Sequence, residues 1–278
     1  YAYNNELTAI DLSTNDLLEQ VYVNNNQLTS IDVSDKPNLA YLFVSDNQLT
    51  SIDVSNNPLL NQLNIISNQL TSLDISNNTL LTRLWANNNE LTSMDVTNND
   101  TLVFLYLESN SLTTVTGVND KIHLTYLQLK YNELTSLDLS GCTSMVELAV
   151  SNNNLSSLDV TGCTAMVTIY AYNNELTAID LSTNDLLEQV YVNSNQLTGL
   201  DVSSNTALTT LYCNSNQLTN LNLRNGVTDA LTTFNATDNS LECIETLDPV
   251  YATANWTYEN GNIDAGVTFS IICGSEDQ

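Results

Sequence analysis

The chain repeats one arrangement of apolar and polar positions from its first residue to about Leu241. Residues 39–59, LAYLFVSDNQLTSIDVSNNPL, and 60–80, LNQLNIISNQLTSLDISNNTL, both fit a 21-residue template, LxxLxLxxNxLTxLDLSxNxx. Twelve rungs follow it, the first one partial. The LxLxx stretch alternates with period two, which predicts a short strand. One rung cannot bury its own Leu face, so its neighbours must cover it. Stacked in this way, the strands pair in parallel about 4.8 Å apart. The ninth position is Asn in every rung, from Asn5, Asn26 and Asn47 to Asn239, and the eleventh is Leu, from Leu7 to Leu241. An Asn that turns the chain inward meets backbone groups with no other partner. Its amide can serve its own rung and the next, which predicts a continuous ladder.

The second half of the template, as in LTSLDVS, also reads as strand. Two rungs depart from the pattern: residues 102–123, with 22 residues, and 208–230, with 23. Both are expected to bulge on this descending side without marking a domain boundary.

The motif resembles the leucine-rich repeat in its short bacterial subtype, LxxLxL followed by a nested LxxLDL. The resemblance covers roughly the first 240 residues. It implies a β-rich solenoid of twelve parallel-strand rungs, flat or weakly curved because no helix backs it. Residues 241–273, LECIETLDPVYATANWTYENGNIDAGVTFSIIC, stop repeating and resemble the carboxy-terminal cap of secreted flavobacterial leucine-rich repeat proteins. A terminal rung needs such a cover over its apolar end and strand edge. Residues 1–240 thus form the solenoid and 241–278 the cap. Cys243 and Cys273 bracket the cap and are expected to form a disulfide, which implies an oxidising compartment and a secreted or cell-surface location. Cys142 and Cys163 share one repeat position and read as packing, as does Cys213. Tyr1 starts in mid-rung, so a fragment of a longer protein is expected, with self-association through the exposed amino-terminal edge.

Composition then narrows the function. There are 32 acidic residues against five basic ones, a formal charge of −27. Long-range repulsion disfavours nucleic acid and anionic membranes, and no run approaches the ~20 apolar residues of a membrane helix. A single histidine, His123, nearly excludes multi-histidine metal sites and histidine-based catalysis. An Asp column runs from Asp11 to Asp201, and its spacing of about 4.8 Å is near that of glycosidase carboxylates. Every rung would present the same pair, with no cleft to raise one pKa, so no enzyme is expected. No cofactor is expected either, beyond weak Ca²⁺ binding at the Asp column. The Thr column beside it shares its face with charged Asp, unlike the uncharged faces that bind ice.

The outward strand positions carry the candidate chemistry. Position five holds Tyr1, Tyr22, Phe43, Trp85, Tyr106, Tyr170, Tyr191 and Tyr212, and position three adds Tyr41, Phe104 and Tyr126. With Tyr3, Tyr172 and Tyr131, fourteen of the nineteen aromatic residues lie on or beside one face. Cross-strand packing explains part of this array, but exposed aromatic rows mark interaction surfaces. A non-catalytic module that binds protein is the leading reading. Polysaccharide binding and a structural stalk are the alternatives. The ligand-binding centre is expected at Arg83, Trp85, Phe104, Tyr106, Glu108, Tyr126, Gln128 and Lys130, where Arg, Trp and Tyr, the residue types enriched at hot spots, coincide. Residues 1–24 and 170–193 are identical, which repeats one surface eight rungs apart.

Overall fold

The computed structural model describes residues 1–274. The chain divides into two compact units, Tyr1–Leu137 and Asp138–Gln278, built of parallel-strand rungs, about twelve in all. In the first unit the strands Gln20–Tyr22, Tyr41–Phe43, Gln62–Asn64, Arg83–Trp85, Phe104–Tyr106 and Tyr126–Gln128 each pair in parallel with the next. In the second, Glu147–Ala149, Thr168–Tyr170, Gln189–Tyr191, Thr210–Tyr212 and Thr233–Asn235 do the same. Register shifts by one rung per strand, so equivalent residues face each other. The middle residue of every one of these strands is buried, Leu42, Leu63 and Leu84 completely. Its flanking residues stay at least partly exposed, Ala149 excepted. This is the period-two alternation of the template. The partial first rung forms no strand of its own, but the Ala2 amide donates to the Tyr22 carbonyl at 2.8 Å.

The Asn ladder is present in both units. Asn47 Nδ2 donates to the carbonyls of Val44 and Ser45 in its own rung and of Val23 in the preceding one, each at 3.1 Å. Its Oδ1 accepts the Leu28 amide at 2.9 Å. The residue before each ladder Asn is left-handed, with φ between 53° and 57° at twelve positions from Asn4 to Asp238. That turn aims the Asn inward.

A second polar column, present in the template but given no role above, lies on the descending side. Asn57, Asn78, Asn99, Asn184 and Asn205 are completely buried there. Asn57 Nδ2 donates to the carbonyls of Val33 and Lys36, both at 2.9 Å. The Oδ1 atoms of all five lack a hydrogen-bond partner. Cys142 and Cys163 occupy the same column as buried thiols outside any disulfide. Lys36 and Lys121 also lie in it, their stems buried, and Asn225 continues it. The Lys121 ammonium donates to the Thr97 carbonyl at 3.0 Å and pairs with Asp100 at 2.6 Å.

The descending side differs from expectation. Only some rungs form strands there: Ser93–Asp95 pairs with Thr114–Thr116, and Gly199–Asp201, Asn220–Leu223, Cys243–Thr246 and Thr268–Ser270 form a parallel sheet. In each pairing the later strand lacks the template Asp; Thr116, Asn222, Glu245 and Ser270 stand in its place. Where the template Asp is present its side chain captures the amide two residues ahead and closes a turn, as Asp53 does with Ser55 at 2.9 Å, in paired and unpaired rungs alike. The long rungs therefore add strands rather than merely bulging. In the first of them the extra length turns at Gly117, φ +74°, where a Cβ would come within 2.5 Å of the Thr97 backbone.

The cap is stapled as expected: Cys243 and Cys273 are disulfide-bonded, with their Cα atoms 5.9 Å apart. A short helix, Pro249–Asn255, starts at Asp248, whose carboxylate accepts the Tyr251 amide at 2.9 Å. Trp256, after the helix, is buried against Phe234 and Phe269.

Candidate binding face

Alternation along each strand projects its first and third residues away from the core. In the first unit this puts Arg83 and Trp85, Phe104 and Tyr106, and Tyr126 and Gln128 side by side on three consecutive strands. Six of the eight expected site residues are thus placed by strand register alone. Glu108 and Lys130 follow two residues after their strands. The Glu108 amide accepts positioning from the previous rung, donating to Asn87 Oδ1 at 3.1 Å.

Much of the aromatic surface is occupied by other rings. Tyr1, Tyr22 and Phe43 stack with centroids 4.8 and 4.7 Å apart, and Phe104 stacks on Tyr126 at 4.9 Å. In the second unit Tyr170, Tyr191 and Tyr212 form a third stack, at 4.8 and 5.3 Å. Strand spacing sets these distances. Cross-strand packing is therefore real, and ligand contact falls to ring edges and stack ends.

The charges sort differently. Of the five basic side chains, Lys36 and Lys121 lie in the buried column, and Arg224 pairs with Glu245 at 3.1 Å. Arg83 instead lies over aromatic rings, its guanidinium carbon 4.7 Å from the Phe104 centroid and 6.0 Å from that of Trp85. No carboxylate among the described residues comes within ion-pair distance of it. Such a contact is attractive through the ring quadrupole and uses none of the guanidinium's N–H donors.

Tyr131 was legible only as one more aromatic residue. Its backbone is left-handed, φ 55°, at the position where the other rungs carry Asn, Asp or Ser. The residue is 51% exposed, and its ring stacks on no other among the described residues. A bulky residue in this conformation costs roughly 1–2 kcal/mol. The signal that could have found it is the composition of that one column.

A larger depression, 490 Å³, lies on the descending side of the first unit against Asp74 and Asp95. Both carboxylates are engaged in turns, Asp74 with the Ser76 amide and Asp95 with the amide and hydroxyl of Thr97. Those bonds hold both carboxyls below the ordinary carboxylate range. Nothing there prepares a general acid.

The rung geometry now decides the fold. It is the leucine-rich repeat. The functional domain of InlJ from Listeria monocytogenes, which includes a cysteine ladder, is 30% identical over 88% of this chain, with a TM-score of 0.79. This chain spans 57% of that one. The internalin inlF, also from Listeria monocytogenes, is 24% identical, covering 83% of this chain and 71% of its own, with a TM-score of 0.70. The plant peptide hormone receptor RGFR1, in complex with RGF2, is 19% identical over 91% of this chain and 44% of its own, with a TM-score of 0.72. No family profile matches the chain, and no curated protein matches it by sequence.

Proposed function

We propose that the chain is a non-catalytic recognition module that binds a protein partner, in the manner of an adhesin, through the strand face of its first unit. Arg83, Trp85, Phe104, Tyr106 and Tyr126 form the centre, with Glu108, Gln128 and Lys130 at its margin. The observation that carries this reading is Arg83. In a chain with 32 acidic residues, its guanidinium lies on an aromatic ring and not on a carboxylate. An arginine over Phe104 and Trp85, on strands that also carry Tyr106 and Tyr126, has the composition of an interface hot spot. Tyr131 supports the same placement, since an exposed ring in a disfavoured conformation gains nothing for the fold. The Cys243–Cys273 disulfide supports a secreted or surface location.

The test is a displayed library of extracellular protein fragments, screened in parallel on the wild-type chain and on an Arg83→Ala, Trp85→Ala double variant. Binders retained by the wild type and weakened by ≥ ~2 kcal/mol on the variant are expected. Binders that hold both chains equally would move the site off this face.

A further inference from the structure

The second unit carries a depression that the sequence did not single out. It measures 260 Å³ and is lined by Tyr172, Tyr191, Asn193, Thr210, Tyr212 and Thr233. Strand register builds it. Thr210 lies opposite Thr233, and Tyr191 opposite Tyr212, whose next neighbour across the sheet is Asn235. The tyrosine stack therefore ends at Tyr212, and on the Asn235 side its ring has no aromatic neighbour.

Two features fix the chemistry of an occupant. No charged side chain lines the depression, so it offers no counter-ion to a carboxylate, sulfate or ammonium group taken out of water. Around the aromatic floor sit the hydroxyls of Thr210, Thr233, Tyr172, Tyr191 and Tyr212, none of which makes a hydrogen bond to another described residue. Each hydroxyl is both donor and acceptor. A lining of this kind matches a ligand with an apolar face and a rim of neutral groups that both donate and accept. A pyranose ring is such a ligand: its axial C–H groups present one apolar face, and its equatorial hydroxyls project around it. The volume is below the about 300–1,000 Å³ of sites that enclose drug-sized ligands, which suits one or two sugar units of a longer chain lying across an open surface.

We infer that the Tyr172–Tyr191–Tyr212 depression is a binding site for a neutral polysaccharide, with one sugar ring packed against Tyr212 and its hydroxyls bonded to Thr210, Thr233 and Asn193. This site is separate from the Arg83 face and does not depend on it.

The test uses the whole chain and four neutral probes, cellohexaose, laminarihexaose, xylohexaose and mannohexaose, titrated by calorimetry. Polygalacturonate and a polyproline peptide serve as the charged and proteinaceous comparisons. At least one neutral hexaose should bind, and Tyr212→Ala should weaken it by roughly tenfold or more. Thr210→Val and Thr233→Val keep shape and strand preference while deleting one hydroxyl, so each should weaken binding several-fold even if Tyr212→Ala fails to fold. Trp85→Ala should leave the affinity unchanged. The inference is overturned if no neutral hexaose binds, if polygalacturonate or polyproline binds better, or if both valine variants bind like wild type. Loss of binding in Trp85→Ala alone would assign the sugar to the first unit and overturn it equally.

Discussion

Tyr131 gives the sharpest test, because substitutions there separate the fold from the binding face. Consider Tyr131→Ala and Tyr131→Gly. Both delete the ring, so both lose the same side-chain contacts. They differ in the backbone at φ 55°. Alanine keeps a Cβ against the following carbonyl and bears the roughly 1–2 kcal/mol left-handed penalty. Glycine escapes it but loses about 0.4–1 kcal/mol through the greater freedom of its unfolded chain. Glycine should therefore be the more stable by about 0.5–1 kcal/mol, reversing the order found at ordinary positions. Asn should match or exceed glycine, since the chain uses it in this conformation at Asn4, Asn25, Asn88, Asn152 and Asn173. Thermal unfolding followed by circular dichroism reads this as a difference of about 1–4 °C. Affinity for a binder selected on the wild type should fall by the same factor in all three variants, whatever their stability. If alanine proves more stable than glycine, the strain argument is wrong. If all three variants bind like wild type, Tyr131 lies outside the site.

Four further outcomes follow from the same geometry. Asn110→Ala removes the acceptor of the Leu91 amide and the donor to the Ala86 and Leu107 carbonyls, at about 1–3 kcal/mol for each group left unpaired. Asn78→Cys, copying Cys142 and Cys163, should be the milder change because it also removes an unpartnered oxygen, and equal melting temperatures for the two variants would count against the distinction. Gly117→Ala should destabilise by more than about 1 kcal/mol, since the left-handed turn and the Thr97 backbone both oppose a Cβ; an unchanged denaturation midpoint would refute that close approach. Burial pushes the Cys163 and Cys213 thiols up to about 12, so iodoacetamide at neutral pH should label no cysteine in the folded chain and three in the unreduced, unfolded one, whereas fast labelling of the native chain would contradict it. The hydroxyl and amide of Ser34 lower the Asp32 pKa, so the stability that Asp32 adds is present above the unfolded value of about 3.9 and is lost as pH falls through the lower folded value; the gap between wild type and Asp32→Asn should close across that window, and a gap that persists at lower pH would show that it does not come from ionisation.

What the sequence determined by itself is the repeat of the ascending side. An apolar position recurring every 21 residues can be satisfied only by stacking, so strand positions, parallel pairing and the Asn ladder follow from the template. The place of the candidate residues on one face follows from the same arithmetic, because alternation along a strand needs no tertiary information. The disulfide pairing was legible too, from two cysteines bracketing a segment that stops repeating. What only the tertiary structure decided depends on distances between side chains on neighbouring rungs. Period alone cannot say that Arg83 rests on Phe104 while Arg224 meets Glu245, nor that Lys36 and Lys121 bury their stems in an Asn column. Nor can it say which descending rungs pair as strands, since the Asp turn is made in paired and unpaired rungs alike. Tyr131 stands between the two cases. Its column was visible, but its cost arises from a backbone dihedral, and a dihedral belongs to the folded chain.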